Sequence, residues 1–191
     1  MIIAEIIATV TGIAGVALQA KERIEAWPFA IVSVSISAYL FFYSKLYSDF
    51  GLHIIYIILN IFGWWVWSHR KATQKVTATK ILKRSGILTS LMIVVFGALA
   101  LGYIMDNYTD ADLSYFDAFT TSGSLVAQYL LAKKYLQNWL LWIIVDIVAI
   151  PVYVYKELYV IAILFTVFLG LSIWGYRSWA RGMNFNLQTV E

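Results

Sequence analysis

Several polar and aromatic residues recur at spacings of three and four within otherwise apolar stretches. His53, Tyr56, Asn60, Trp64 and Trp67 form the longest such series. That spacing places them on one helix face. Trp139, Trp142, Asp146 and Tyr153 form a second series, Thr121, Ser124 and Gln128 a third, and Ser33 with Ser37 a short fourth. The carboxyl group of Asp146 carries the strongest chemistry. An acid in the middle of an apolar run costs about 2.5–3.5 kcal/mol to place in a bilayer. Such an acid can pair a substrate cation, accept a hydrogen bond or take up a proton. Its structural alternative is pairing with a Ser, Thr or Tyr on a neighbouring helix. Asn60, with one acceptor and two donors, can read the polar edge of a ring or tie two helices together. Gln128 has the same two readings. His53 is a ligand contact or an ordinary interfacial histidine. Trp64 and Trp142 can stack on a flat or cationic ring, each contact contributing roughly 0.5–2 kcal/mol. Trp67 and Trp139 share their faces, and the other tryptophans read as interfacial anchors.

These series need helices inside a membrane. Of 191 residues, 61% are hydrophobic and only 13% charged, with a mean hydropathy of +0.75. A soluble domain averages about 25% charged residues. A span needs roughly 20 mainly apolar residues, and backbone groups in lipid must bond within the segment, so the spans are helices. Seven are expected, at about 2–18, 27–43, 50–68, 87–105, 115–132, 137–155 and 157–175. The first lacks a basic leader and a cleavage site, so it reads as a retained span. The fifth is the least apolar. Cysteine is absent and there are two histidines, which excludes thiolate metal sites and disulfides and leaves no His-rich metal centre. No cofactor is expected, and the +3 charge gives no reason to expect a nucleic-acid partner.

Thr9–Tyr47 lies over Thr121–Tyr159 without a gap, 112 residues on, with Ala20/Ala132, Lys21/Lys133, Trp27/Trp139 and Tyr43/Tyr155 among the identities. After a shift, Gly63 meets Gly170 and Trp67 meets Trp174. The expected fold is therefore an all-α membrane protein with two three-helix halves in the same orientation around a linker helix. The halves are residues 1–68 and 115–176. Residues 69–114 hold a cytoplasmic loop, the linker helix (about 87–105) and an outer loop, and residues 177–191 a cytoplasmic tail. Parallel halves that rock about a shared site imply transport. Lys and Arg gather in the loops after spans 1, 3 and 5 and in the tail, including Lys75 in the loop after span 3. Lys45 and Lys156 stand opposite, which puts the N-terminus outside and the C-terminus in the cytoplasm. The outer loop carries Asp106, Asp110 and Asp112, a solvated segment or a weak attractor of cations. Pro151, inside span 6, is a hinge or a static bend.

The strings Asn60-Ile61-Phe62-Gly63-Trp64-Trp65-Val66-Trp67 and Asn138-Trp139-Leu140-Leu141-Trp142, with Ala127-Gln128-Tyr129-Leu130-Leu131-Ala132-Lys133-Lys134 before the second, resemble the PnuC family of vitamin transporters. The resemblance implies a three-plus-one-plus-three architecture similar to the SWEET sugar transporters. It also implies facilitated diffusion of one vitamin, trapping by a cytosolic kinase, residence in the bacterial inner membrane and a homotrimer. Carried across, its site falls on Asn60, Trp64, Trp67, Gln128, Trp139, Trp142 and Asp146. His53 stands where nicotinamide riboside carriers often have Gln, and Leu164-Phe165 where they have polar residues or Tyr. These departures favour thiamine, with nicotinamide riboside and a proton-coupled vitamin or nucleoside carrier as alternatives. An intramembrane enzyme would need a His-Glu-x-x-His site or a Gly-x-Ser-x-Gly elbow, and neither string is present.

Overall fold

The computed structural model describes residues 2–72, 79–109 and 112–188. They form seven helices: α1 (Ile2–Ala20), α2 (Ala26–Tyr43), α3 (Tyr47–Ala72), α4 (Arg84–Tyr108), α5 (Ser114–Ala132), α6 (Gln137–Tyr155) and α7 (Tyr159–Gln188). Each expected span is a helix. The ends differ where hydropathy stops informing: α3 runs on to Ala72 and α7 to Gln188, because backbone hydrogen bonding continues after the apolar run ends. Lys75 and Asp110 lie outside the described residues, as do the last three residues of the tail.

Six of the helices are long and apolar enough to cross a membrane, and α5 is not one of them. The reason is its surroundings. Ser122, Ser124 and Gln128 on α5 are buried, and α5 packs against α3, α4 and α6. Protein surrounds it, so its sequence need not be as apolar as a helix facing lipid.

The packing order is a closed ring: α1 on α2, α2 on α3, α3 on α5, α5 on α6, α6 on α7, and α7 back on α1. α4 lies outside the ring against α5. The backbones of α1 and α5, of α2 and α6, and of α3 and α7 do not come together among the described residues, although the Trp67 and Trp179 rings of α3 and α7 meet at one end, with centroids 6.1 Å apart. The six helices therefore surround a common axis.

Four tight turns connect these helices, and they come in matched pairs. Glu22 and Lys134 have left-handed φ values of 57° and 63°, and Lys45 and Glu157 have 60° and 58°. Around Glu22, the Arg23 N–H donates to the Leu18 carbonyl at 2.9 Å and the Glu22 N–H to the Gln19 carbonyl at 3.0 Å. Around Lys134, Tyr135 donates to Leu130 and Lys134 to Leu131, both at 3.0 Å. This is the Schellman closure of a helix C-terminus. It recurs where Leu46 donates to Phe41 and Leu158 to Tyr153. Both pairs of turns are 112 residues apart.

A left-handed residue with a β-carbon costs roughly 1–2 kcal/mol, and glycine relieves that strain. Lys45 is exposed. Lys45→Gly should raise stability by about 1 kcal/mol, read as a higher Tm in detergent. Lys45→Val should lower it.

Packing also corrects the register of the third helices. Sequence similarity sets Gly63 against Gly170, but a β-carbon at Gly170 would meet nothing within 4 Å. A β-carbon at Gly63 would overlap the Trp27 ring, and one at Gly175 would stand 2.6 Å from the Trp139 ring. Gly175 is therefore the counterpart of Gly63, and Trp179 that of Trp67. These two contacts fit a 112-residue offset without a shift.

Candidate functional site

The polar residues of α3 meet those of α5. The hydroxyls of Tyr56 and Ser124 share a hydrogen bond. One turn along, Gln128 Nε2 donates to Asn60 Oδ1 at 3.1 Å, and Asn60 Nδ2 donates to the Tyr56 carbonyl at 2.8 Å. Asn60 and Gln128 are both buried. Four-residue spacing on each helix keeps the two rungs in step. His53 caps this row. Its ring packs on Phe41 and Tyr56 with centroids 4.8 and 5.8 Å away, and its Nδ1–H donates to the Asp49 carbonyl at 2.9 Å.

Asp146 stands on the other side of the ring. It is 1% exposed, and Ser172 Oγ on α7 donates to its Oδ2 at 3.3 Å. It is the one buried carboxylate among the described residues. No direct hydrogen bond joins it to Asn60 or Gln128 there. Two turns along α6, Tyr153 packs on Phe165 at 4.9 Å. Lys156 in the α6–α7 turn pairs with Asp117 of α5 at 2.6 Å.

The tryptophans divide into two groups. Trp64, one turn after Asn60, keeps 43% of its surface exposed, and Trp142, one turn before Asp146, is half-buried. These two rings have a free surface. Trp67 and Trp139 do not. Together with Trp27 and Trp179 they form a buried cluster, with Trp27 edge-on to Trp67 at 5.3 Å and Trp139 edge-on to Trp179 at 5.4 Å. The Trp67 indole N–H donates to the Ala132 carbonyl at 3.2 Å and that of Trp179 to the Gln19 carbonyl at 3.1 Å. Trp67 and Trp139, expected among the ligand contacts, and Trp27 and Trp179, expected as interfacial anchors, thus all lie in this cluster. Helix ends that converge can bury large rings against each other.

Asn138 is fully buried and donates to the Tyr135 carbonyl at 2.7 Å, which closes the first turn of α6. α6 runs through Pro151 as unbroken helix. Ser33 donates to the Ala8 carbonyl at 2.7 Å beside Gly12, as a close-packing position does. Ser172 was not legible as a partner of Asp146, although it sits 112 residues after Asn60. The corrected register is the signal that reveals it.

The described residues thus hold two polar groupings, the Asn60–Gln128 amides between α3 and α5 and the Asp146–Ser172 pair between α6 and α7. The family model for nicotinamide mononucleotide transporters matches residues 2–181. The chain belongs to that family of multi-pass membrane transporters, and it is not an enzyme. It is similar to the nicotinamide riboside transporter PnuC of Escherichia coli, at 23% identity over 92% of this chain and 84% of the relative. It is 27% identical to the PnuC of Neisseria mucosa, over 92% of this chain and 71% of that one. A riboflavin/roseoflavin transporter of Streptomyces davaonensis, RibM, is 21% identical over 92% of this chain and 83% of its own length. Among solved structures, the crystal structure of the vitamin B3 transporter PnuC superposes with a TM-score of 0.76 and 26% identity, covering 95% of this chain and 82% of that one.

Proposed function

We propose that this chain carries nicotinamide riboside across the bacterial inner membrane by facilitated diffusion, and that a cytosolic kinase traps the product by adding phosphate. The observation that carries the reading is Asp146: a buried carboxylate whose hydrogen-bond donor is the neutral Ser172 hydroxyl. Desolvated charge needs a counter-charge, and a pyridinium ring supplies one. Trp64 and Trp142 would stack on that ring, and Asn60 and Gln128 would exchange their mutual bond for bonds to sugar hydroxyls or the carboxamide. Of the relatives named above, two are named for nicotinamide riboside and one for riboflavin. They move the substrate reading away from thiamine, which His53 and Leu164-Phe165 had favoured.

The architecture belongs to the same proposal. Matched turns and matched Gly–Trp contacts support two parallel halves, α1–α3 and α5–α7, joined by α4 in the three-plus-one-plus-three manner of the SWEET carriers. Pro151 serves as the hinge of α6. The N-terminus lies outside, the C-terminus in the cytoplasm, and the chain works as a homotrimer.

Purified chain in liposomes without ATP should equilibrate labelled nicotinamide riboside and accumulate none above the outside concentration. Accumulation driven by a pH gradient would favour proton coupling through Asp146 instead. Tryptophan fluorescence titrations on one sample should rank nicotinamide riboside above thiamine and riboflavin. Trp64→Phe should remove most of the quenching. Unchanged quenching in both Trp64→Phe and Trp142→Phe would take the rings out of the site.

A further inference from the structure

We propose that Glu22 and Lys134, with the indoles around them, form a latch that shuts one end of the helix ring and must part for substrate to leave there. The two residues are positional counterparts, 112 apart, and their side chains form an ion pair. Each occupies the left-handed position of its turn, Glu22 between α1 and α2 and Lys134 between α5 and α6. The ion pair therefore ties the same turn of one half to that of the other. Lys134 is only 4% exposed. Its ammonium lies over Trp67 at 5.0 Å and Trp179 at 5.8 Å from the ring centroids. Those rings are the ones whose N–H groups cross between halves, Trp67 of α3 to Ala132 of α5 and Trp179 of α7 to Gln19 of α1. The ion pair and both indole N–H bonds each join one half to the other, and together they seal the axis at this end.

The chain between α3 and α4 reinforces the seal. Thr79 Oγ1 donates to the second Glu22 oxygen at 3.3 Å. Lys80 N–H donates to the Lys134 carbonyl and Leu136 N–H to the Lys80 carbonyl, both at 2.9 Å. Leu82 N–H bonds Gln137 Oε1 at 3.0 Å. The latch thus includes a strap from the linker across the α5–α6 turn. Among the described residues no ion pair bridges the halves at the opposite end, where the Lys156–Asp117 pair stays within the second half.

The natural chain has no cysteine, so single cysteines report opening cleanly. Ala132 and Ala118 are both fully buried, at opposite ends of α5. In detergent, Ala132→Cys should react slowly with a water-soluble thiol reagent. Adding Lys134→Gln should speed that reaction at least about tenfold by raising the open population. Lys134→Arg, which keeps the charge and its contact with the rings, should leave it slow. Ala118→Cys should react at one rate in all three backgrounds. Equal rates at Ala132→Cys with and without Lys134→Gln would overturn the latch. So would equal acceleration at both cysteines, which means general loosening. The inference rests on the transport reading, but these rates need no substrate. In liposomes, a Glu22→Cys/Lys134→Cys chain joined by a cleavable bis-thiol linker should stop carrying nicotinamide riboside and resume after cleavage. Uptake by the joined chain would overturn the latch, whereas no uptake before joining would count against the transport reading alone.

Discussion

Asp146→Ala should reduce nicotinamide riboside uptake at low substrate by about a hundredfold, while the protein stays folded. Losing one partner of a desolvated charge pair costs about 2–5 kcal/mol, and about 3 kcal/mol corresponds to a hundredfold in affinity. The fold does not need the charge. Asp146 is buried with only the Ser172 hydroxyl as hydrogen-bond donor, so removing it relieves a desolvation cost. Its Tm should hold or rise. Asp146→Asn separates charge from shape, because the amide oxygen still accepts from Ser172. It should lose nearly as much uptake as the alanine variant. If Asp146→Asn carries substrate normally, the acid is a structural acceptor and the cation site lies elsewhere. If it loses only accumulation driven by a pH gradient and keeps exchange, the acid is a proton site. Ser172→Ala, which removes one neutral hydrogen bond contributing about 1 kcal/mol, should cost only about fivefold.

How much of this could be read beforehand depended on what each residue faces. Helix positions followed from apolar runs, because lipid imposes a length and forbids unpaired backbone. Even α5 was recoverable, since its sequence repeats that of α1 although its hydropathy is low. The Asn60 and Gln128 stripes were legible as polar faces, but their mutual bond was not. Periodicity gives the face of a helix without naming the neighbour. The ring order of the helices supplied that neighbour by placing α3 on α5. The third helices were misaligned for a related reason. Gly170 and Trp174 resemble Gly63 and Trp67 in type, and in a segment rich in Gly, Trp and aliphatic residues such matches arise at several offsets. Only the overlap of Gly63 with Trp27 and of Gly175 with Trp139 chooses among them. Ser172, hidden by that misalignment, then falls into place as the counterpart of Asn60. At the 112-residue offset the matched positions are chemically unequal. The rungs Tyr56–Ser124 and Asn60–Gln128 correspond to Phe168–Gly12 and Ser172–Val16, and Asp146 corresponds to Val34. The α3–α5 junction is tied by hydrogen bonds, whereas the α1–α7 junction pairs Phe168 with a glycine.

Trp139→Ala should destabilise the protein by about 3–5 kcal/mol, the range for truncating a buried Trp or Phe. The ring is 1% exposed and lies edge-on to Trp179 at a centroid distance of 5.4 Å. Gly175 brings the α7 backbone against it. The alanine would leave a cavity that two rigid helices cannot close. Trp27→Ala should cost a similar amount, because Trp27 is fully buried and stands edge-on to Trp67. Gly175→Val approaches the same contact from the other side and should cost about 1–3 kcal/mol by overpacking. Trp64→Ala should change the Tm little, since its ring keeps 43% of its surface exposed, yet it should weaken substrate quenching strongly. Thermal melts in detergent beside fluorescence titrations would separate the two groups of tryptophans. A normal Tm with lost binding in Trp139→Ala would return that ring to the ligand site and take it out of the core. The converse result, lost stability with the residual folded fraction still binding, would assign the Asn-Trp-x-x-Trp string a packing role: Trp139 would hold α6 against α7 while Trp142, one turn on, meets the ligand.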